Sequence, residues 1–378
     1  MKSGALLGLA VAASLVISPA VAQEKQSLAF VVNAASDFWK LAEAGVNAAQ
    51  AELPDYDLQF RYPAQGTAAL QNALMDDLVS AGTDAIMISS VDPKTSIDAF
   101  NRIAAQVPLF TTDSDAPDSD RIAYLGSSNT LAGVQAGEIA LAALPDGGKC
   151  MGFVGFLGAD NAIERIAGFR QAVEGSGIEL VDVRGDDVDF ARARSNVDDV
   201  LAADPSINCM VGFYSYNPPK IYEALQAAGQ LGNITVIAFD EDPITLGAVR
   251  EGSFAGTVVQ DPYQWGYQGM HLMADYLEGD MSGVPADGLI IVPTKIITQD
   301  NVDAFEAEVG DTASIAQDRC SVTDGEDFAE SVRDEQHEKW KLGVGQPLAL
   351  QSRESAFHVL RSHKPEIRTR FQQMLPAR

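Results

Sequence analysis

Two aspartates stand at matching places in this chain, each just past a short apolar run. Asp113 lies in Phe110-Thr-Thr-Asp-Ser-Asp115-Ala-Pro117, and Asp240 in Ala238-Phe-Asp-Glu-Asp242-Pro243. An ionised carboxylate only accepts hydrogen bonds and can take two hydroxyl donors. Arg165 offers a planar fork of donors, and Gln260 an amide. Phe38, Trp39, Phe190 and Tyr214 offer faces that cover the apolar C–H side of a sugar ring. That is the set a neutral polyhydroxylated ligand needs. Each member also has a plainer use. Asp-x-Asp after a strand commonly makes a turn or caps a helix. Phe38 and Trp39 suit a helix core, and Arg165 suits a pair with Glu164 or another surface carboxylate. As an enzyme, Asp113 and Asp240 would have to act as paired carboxylates roughly 5–10 Å apart with one pKa raised. A Ser-His-Asp reading fails in the body, where His271 is the one histidine and falls mid-helix. No G-x-G-x-x-G follows the first apolar run, so no dinucleotide site is expected. No C-x-x-C or His/Cys cluster has zinc spacing, so neither metal nor cofactor is expected.

The elements that must position these residues alternate in type. Leu28–Val32 reads as a strand, followed by a helix with Phe38, Leu41, Ala42, Gly45 and Ala49 on one face. Leu58–Tyr62 is a strand, and Leu70, Leu74 and Leu78 mark the next helix. Ala85–Ile88, Ile97–Ala105, Leu109–Thr112 and Ile122–Gly126 continue the rhythm, and a helix follows through Leu144. It then restarts: Met151–Phe156, Ala162–Val173, Ile178–Val183, Ala191–Leu201, Met210–Phe213, Ile221–Ala228, Ile234–Phe239 and Phe254–Val259. This is the βα alternation of a parallel sheet covered on both faces, present twice. In such sheets ligands bind beyond the carboxyl ends of strands, which is where Asp113 and Asp240 fall.

Composition narrows the setting. Of 378 residues, 53 are acidic and 26 basic, a formal charge of −27. That body repels a phosphate backbone, so nucleic acid is not an expected partner. Lys2, the apolar run Ala5–Ile17 and Ala20-Val-Ala22 before Gln23 read as a cleaved secretory signal. The run is too short for stable membrane insertion, and no cysteine near the cleavage site suggests a lipid anchor. Export permits disulfides. Cys150 and Cys209 each precede an apolar run, and both a bridge and two buried free thiols remain open. Cys320 has no evident partner. Beyond residue 308 the composition changes. Residues 309–378 are near neutral and hold three of the four histidines, His337, His358 and His363, in no metal-binding pattern. Two short amphipathic helices are expected there, around Leu350, Phe357 and Leu360 and around Ile367, Phe371 and Met374, with Pro365 opening the second.

As a set, several motifs bring a family into view: Val31-Val-Asn-Ala-Ala-Ser-Asp-Phe-Trp39, Thr111-Thr-Asp-Ser-Asp-Ala-Pro117, Asn161-Ala-Ile-Glu-Arg-Ile-Ala-Gly-Phe169, Ala238-Phe-Asp240 and Gly256-Thr-Val-Val-Gln-Asp-Pro262. In order and spacing, Leu28–Phe305 resembles the periplasmic sugar-binding proteins of ABC transporters, of the ribose/galactose-binding type. The resemblance carries ligand contacts onto Asp37, Phe38, Trp39, Ser89, Asp113, Ser127, Arg165, Phe190, Tyr214, Asp240 and Gln260. Ser114 stands where the family usually has an arginine, and Asp115, a candidate by its loop position, comes next. Tyr214 stands where it has an amide or carboxylate. These two departures leave a pentose, hexose or deoxysugar as the class and do not name the sugar. Asp-Ser-Asp also resembles the loop of rhamnose and furanosyl-signal binders.

The resemblance further implies an α/β fold of the type I periplasmic binding protein. Two doubly wound parallel-sheet lobes are joined by a three-strand hinge and close over one ligand. Expected crossings are Ser127–Asn129, Gln260–Pro262 and Ile291–Pro293. The expected division is a signal peptide over 1–22; a first lobe from 23–127 with 262–291; a second from 128–261 with 292–308; and an extension of unknown role over 309–378. The implied activity is capture of a monosaccharide in the periplasm and delivery to a membrane permease, by a monomer that makes and breaks no bond. An enzyme on the same scaffold, or a sensory receptor serving a membrane sensor, is the alternative. A gene-regulator reading needs a DNA-binding helix-turn-helix where the signal sequence lies.

Overall fold

A computed structural model describes residues 25–309. The signal segment, Cys320, the three late histidines and both expected tail helices lie outside the described residues. The first half runs β1 (Gln26–Val31), α1 (Trp39–Glu52), β2 (Tyr56–Arg61), α2 (Ala68–Ser80), β3 (Ala85–Ile88), α3 (Pro93–Ala104), β4 (Leu109–Thr111) and β5 (Tyr124–Gly126). The second runs α4 (Asn129–Ala143), β6 (Gly148–Val154), α5 (Asp160–Val173), β7 (Ile178–Gly185), α6 (Phe190–Ala203), β8 (Cys209–Gly212), α7 (Asn217–Ala227), β9 (Thr235–Phe239), α8 (Pro243–Arg250) and β10 (Gly256–Val259). The chain then returns through α9 (Pro262–Leu277) and β11 (Leu289–Ile291) and ends with β12 (Lys295–Ile297).

Two six-stranded sheets result, ordered β11-β5-β4-β3-β1-β2 and β12-β10-β9-β8-β6-β7. The central strands are continuous buried runs, such as Ala85-Ile-Met-Ile88 and Cys209-Met-Val-Gly212, as expected where helices cover both faces. Pairing is parallel except at one edge, where β12 runs antiparallel to β10. Among the described residues the chain passes between the sheets three times: after Gly126, after Val259 and after Ile291. Helix starts follow local chemistry. Asp92, Ser128, Asp189, Asp242 and Asp261 each accept a backbone N–H of the following turn, and Pro93, Pro243 and Pro262 occupy first helical positions.

The two lobes share a device. A Cβ on Gly266 of α9 would sit 2.0 Å from the Ala42 carbonyl oxygen of α1, and one on Gly168 of α5 would sit 2.1 Å from the Thr130 carbonyl oxygen of α4. Each pair of helices flanking a crossing therefore packs backbone to backbone, which only glycine allows.

The inner face of α2 carries a polar residue. Leu70 is 39% exposed, whereas Gln71, Met75 and Leu78 point inward. The helix is turned so that the Gln71 amide donates to the Val32 and Ser89 carbonyls, at 3.0 and 2.7 Å, and accepts from the Val91 N–H at 3.0 Å. Backbone groups beyond β1 and β3 are buried and need partners, and one glutamine supplies three. In α1, Trp39, Ala42, Gly45, Val46, Ala48 and Ala49 are buried, while Leu41 is half-buried.

Of the two states left open for Cys150 and Cys209, the structure has the disulfide. The residues are register partners on β6 and β8, with Cα atoms 4.2 Å apart. The bridge closes a loop of 59 residues, so in the chain-entropy view it stabilises the fold by about 4 kcal/mol. Replacing both cysteines with alanine should lower the denaturant midpoint markedly, and adding reductant should then have no further effect. A midpoint equal to that of the oxidised wild type would show that the bridge contributes nothing.

Candidate functional site

The residues that meet between the lobes come from the carboxyl ends of strands in both sheets. Asp113 follows β4 and Asp240 follows β9, and both adopt left-handed backbone, with φ of 53° and 66°. Aspartate tolerates this region better than most side chains. The turn is held from behind in each case: the Asp113 carbonyl accepts from Tyr124 Oη at 3.1 Å and Asn129 Nδ2 at 2.8 Å, and the Asp240 carbonyl from Thr257 Oγ1 at 2.8 Å. Both side chains are almost fully buried.

Asp113 collects donors from both lobes. Ser89 Oγ donates at 2.8 Å and Asn33 Nδ2 at 3.4 Å from its own lobe. Asn161 Nδ2, at the start of α5, reaches both oxygens at 3.0 Å, and Arg165 approaches to 3.5 Å. Arg165 itself is 2% exposed and fully engaged. Its Nε donates to Asn129 Oδ1 at 2.9 Å, one terminal nitrogen to the Phe213 carbonyl at 2.8 Å, and the other to Gln260 Oε1 at 2.8 Å. The Phe239 ring lies 4.9 Å from the guanidinium carbon and the Tyr214 ring 5.9 Å. Gln260 turns its amide to Asp240 Oδ1 at 3.0 Å. Among the described residues, that is the one side-chain donor to Asp240, so this carboxylate keeps acceptor capacity toward the cleft that it lines.

Burial pushes the Asp113 carboxyl upward, and Arg165, Asn161 and Ser89 oppose it. Burial likewise raises Asp240 to about 6 against Arg165 and Gln260. A cleft opens between these groups, part of it to solvent.

Of the residues singled out from sequence, Phe38, Trp39, Asp113, Arg165, Tyr214, Asp240 and Gln260 line this space. Trp39 is anchored by its Nε1 donating to Asn33 Oδ1 at 3.1 Å, and Phe38 packs edge-on against it at 5.1 Å. Five others stand off the lining. Asp37 is exposed just ahead of α1 and pairs with Lys40 at 2.6 Å. Ser89 lies behind Asp113 as its donor. Asp115 is turned to Arg121, which binds both its oxygens, Nη2 at 2.6 Å; the plainer role as a turn anchor applies to it. Ser127 is buried at the first crossing, where its carbonyl accepts from Tyr124 Oη at 2.7 Å. Phe190 opens α6, is 44% exposed and packs against Tyr216 at 4.8 Å. The lining also includes Asn33, Asn161, Val188 and Tyr216, which sequence reasoning did not single out. Asn33 and Asn161 lie inside the quoted motifs, just past β1 and at the start of α5. Those positions were the available signal.

A bilobal ligand-binding protein is what this arrangement defines: two α/β lobes meeting over a buried set of acceptors, amides and aromatic faces, fixed by one guanidinium. Residues 28–281 match the periplasmic binding protein domain, and the chain belongs to that family. The ribose import binding protein of Salmonella typhimurium is 27% identical over 281 residues, covering 74% of this chain and 94% of its own. A solute-binding protein of an ABC transporter from Burkholderia graminis, solved with D-arabinose, is 30% identical with a TM-score of 0.69, covering 74% of this chain and 97% of its own. One from Agrobacterium vitis, solved with D-fucose, is 26% identical with a TM-score of 0.69, covering 75% and 98%. Among the described residues no helix is long and apolar enough to cross a membrane.

Carboxylates also crowd the rim where the lobes touch. Glu164 on α5 is raised to about 7, first by burial, then by Asp160 and Asp115, with Arg165 and the Thr130 backbone opposing. A raised carboxyl favours the protonated folded form. Its stabilising contribution is full below the ordinary value of 4.5 and is lost as pH climbs through about 7. Glu164→Gln should therefore melt higher than wild type at pH 8, with the gap closing toward pH 4.5. A gap independent of pH would remove Glu164 from this account.

Proposed function

We propose that the protein is the periplasmic solute-binding receptor of an ABC importer. It captures a neutral monosaccharide between its lobes and presents the closed form to a membrane permease. The observation that carries this reading is the pairing of Asp113 from one lobe with Asp240 from the other, both buried in the cleft, with Arg165 between them. Adjacent hydroxyls of a sugar donate to such carboxylates in pairs, and the amides of Asn161 and Gln260 add donors, while the guanidinium, held by protein partners, supplies the positive field. Phe38, Trp39 and Tyr214 supply the faces for the C–H side of the ring. The solved relatives' complexes with D-arabinose and D-fucose support a pentose or deoxyhexose as the cargo class, and the ribose import relatives support the delivery step.

In this mechanism each lobe offers half of the ligand's partners, so ligand and closure stabilise one another. The chain's task is to bind, orient and exclude water. The N-terminal signal reading brings it to the periplasm, and the sugar-free and sugar-bound forms differ in what the permease can grip. A membrane sensor that reads the same closed form is a compatible second partner.

The test is calorimetry and thermal shift with D-ribose, D-allose, D-arabinose, D-fucose and a set of polyols. At hundredfold excess over Kd, a bound sugar should raise Tm by about 5 °C or more. Asp240→Ala should abolish that rise while leaving the sugar-free protein folded. If no neutral sugar stabilises the wild type, the receptor must serve another ligand class. If the alanine variant binds as tightly as wild type, Asp240 plays no part in holding the ligand.

A further inference from the structure

The second lobe's cleft wall contains a strained stretch of backbone. Asp187 and Val188, between β7 and α6, both adopt left-handed conformation, with φ of 55° and 59°. For a β-branched residue this is an outlier that persists only where its surroundings over-determine it. Val188 lines the cleft; so do Tyr214 and Tyr216 beyond β8.

One carboxylate fixes all three. Asp186 is fully buried and off the lining. Its Oδ1 accepts from the Val188 N–H at 2.9 Å and from Tyr216 Oη. Its Oδ2 accepts from Asn217 Nδ2 at 2.9 Å. Asn217 in turn uses Oδ1 to accept the Tyr214 N–H at 3.1 Å. The backbone around Asp186 is held as well, its own N–H and that of Asp187 donating to the Val154 and Gly155 carbonyls at 3.1 and 2.9 Å. Three donors thus converge where a buried charge needs partners, and they belong to or hold the residues that shape the wall.

We propose that Asp186 is a positioning residue that sets the second-lobe wall of the cleft, and through it the choice among sugars. It holds Val188 in its strained place and orients the rings of Tyr214 and Tyr216. This rests on the reading of the cleft as a sugar site. Asp186 touches no ligand; it acts through the three residues that do.

The geometry gives a swap test. In Asp186→Asn the new Nδ2 meets Asn217 Nδ2, donor against donor. In the double variant Asp186→Asn with Asn217→Asp the direction of that bond reverses, and every other bond keeps its acceptor. Calorimetry with D-ribose, D-allose, D-arabinose and D-fucose should show the single variant weaker for the best-bound sugar by about tenfold, as for loss of a charge-assisted hydrogen bond, with the order of preference altered. The double variant should return to within about threefold of wild type. A single variant with unchanged affinity and preference overturns the proposal, and so does a folded double variant as weak as the single.

Amide hydrogen exchange in the sugar-free protein gives a readout that needs no ligand. The Val188 and Tyr214 amides should exchange about tenfold faster in the single variant and recover in the double, whereas unchanged exchange overturns the positioning role. A wild type that binds none of the four sugars sinks the receptor reading alone, because exchange still decides this one. If Asp186→Asn does not fold, Asn217→Ala carries the same test. It frees the Tyr214 amide and one oxygen of Asp186, and unchanged exchange and affinity there overturn the proposal equally.

Discussion

A guanidinium with almost no contact with water must have its charge neutralised and its donors filled, or the fold cannot keep it. Arg165 fills its donors within the second lobe and at its crossings, and takes the Asp113 charge from the first. Asp113 arrives from one lobe, the Phe213 carbonyl from the other, and Asn129 and Gln260 from beside two of the crossings. The side chain ties the moving parts to the parts about which they move. It fixes the amide direction of Gln260, which fixes the donor to Asp240. With its guanidinium already engaged by protein, Arg165 sets the electrostatics of the cleft and organises its neighbours, while Asp240 keeps acceptor capacity for a ligand.

That division of labour explains why the polar residues beyond the cleft are as exact in placement as those lining it. Gln71 holds the loops that carry Asn33 and Ser89, and both of those donate to Asp113. Asn129 supports Asp113 through its carbonyl and Arg165 through its own oxygen. Asp186 does the same for the opposite wall. Each is a buried polar group whose cost is offset by full hydrogen bonding, and each sits one residue layer behind the cleft. Closure removes water from a surface already preorganised, so less ordering remains for a ligand to pay for.

Much of this was legible in the sequence, and the rest was hidden for physical reasons. Strands and helices alternated visibly because buried parallel strands are continuous apolar runs. Asp113 and Asp240 were legible because the ends of β4 and β9 are where open α/β sheets place ligands. The burial of Gln71 in α2 is not legible in a hydrophobic pattern, where a leucine stripe outweighs a glutamine, yet backbone groups beyond β1 and β3 require it inside. Asp115 and Asp113 are two residues apart and of one type. What separates them is Arg121, whose pairing with Asp115 depends on how the loop folds back. Phe190 is aromatic at a ligand-side loop, but the left-handed backbone of Asp187 and Val188 presents the valine to the cleft instead. No sequence period encodes such a turn in non-glycine residues.

The repeat makes the asymmetry informative. Both lobes use the same strand order, end their ligand-side strands on a left-handed aspartate, and bring their crossing helices together over glycine, at Gly266 and Gly168. Those shared features serve the hinge and the sheet. What differs between the lobes is polar and local. The first lobe's aspartate receives three amide or hydroxyl side chains, two from its own lobe and one from across the cleft, and the second lobe's aspartate receives one. The first lobe's wall is an α-helix start bearing Phe38 and Trp39, whereas the second's is a strained loop held by Asp186. Two copies of one scaffold place two carboxylates at one cleft; their unequal satisfaction by protein donors leaves Asp240 with more acceptor capacity for a ligand than Asp113.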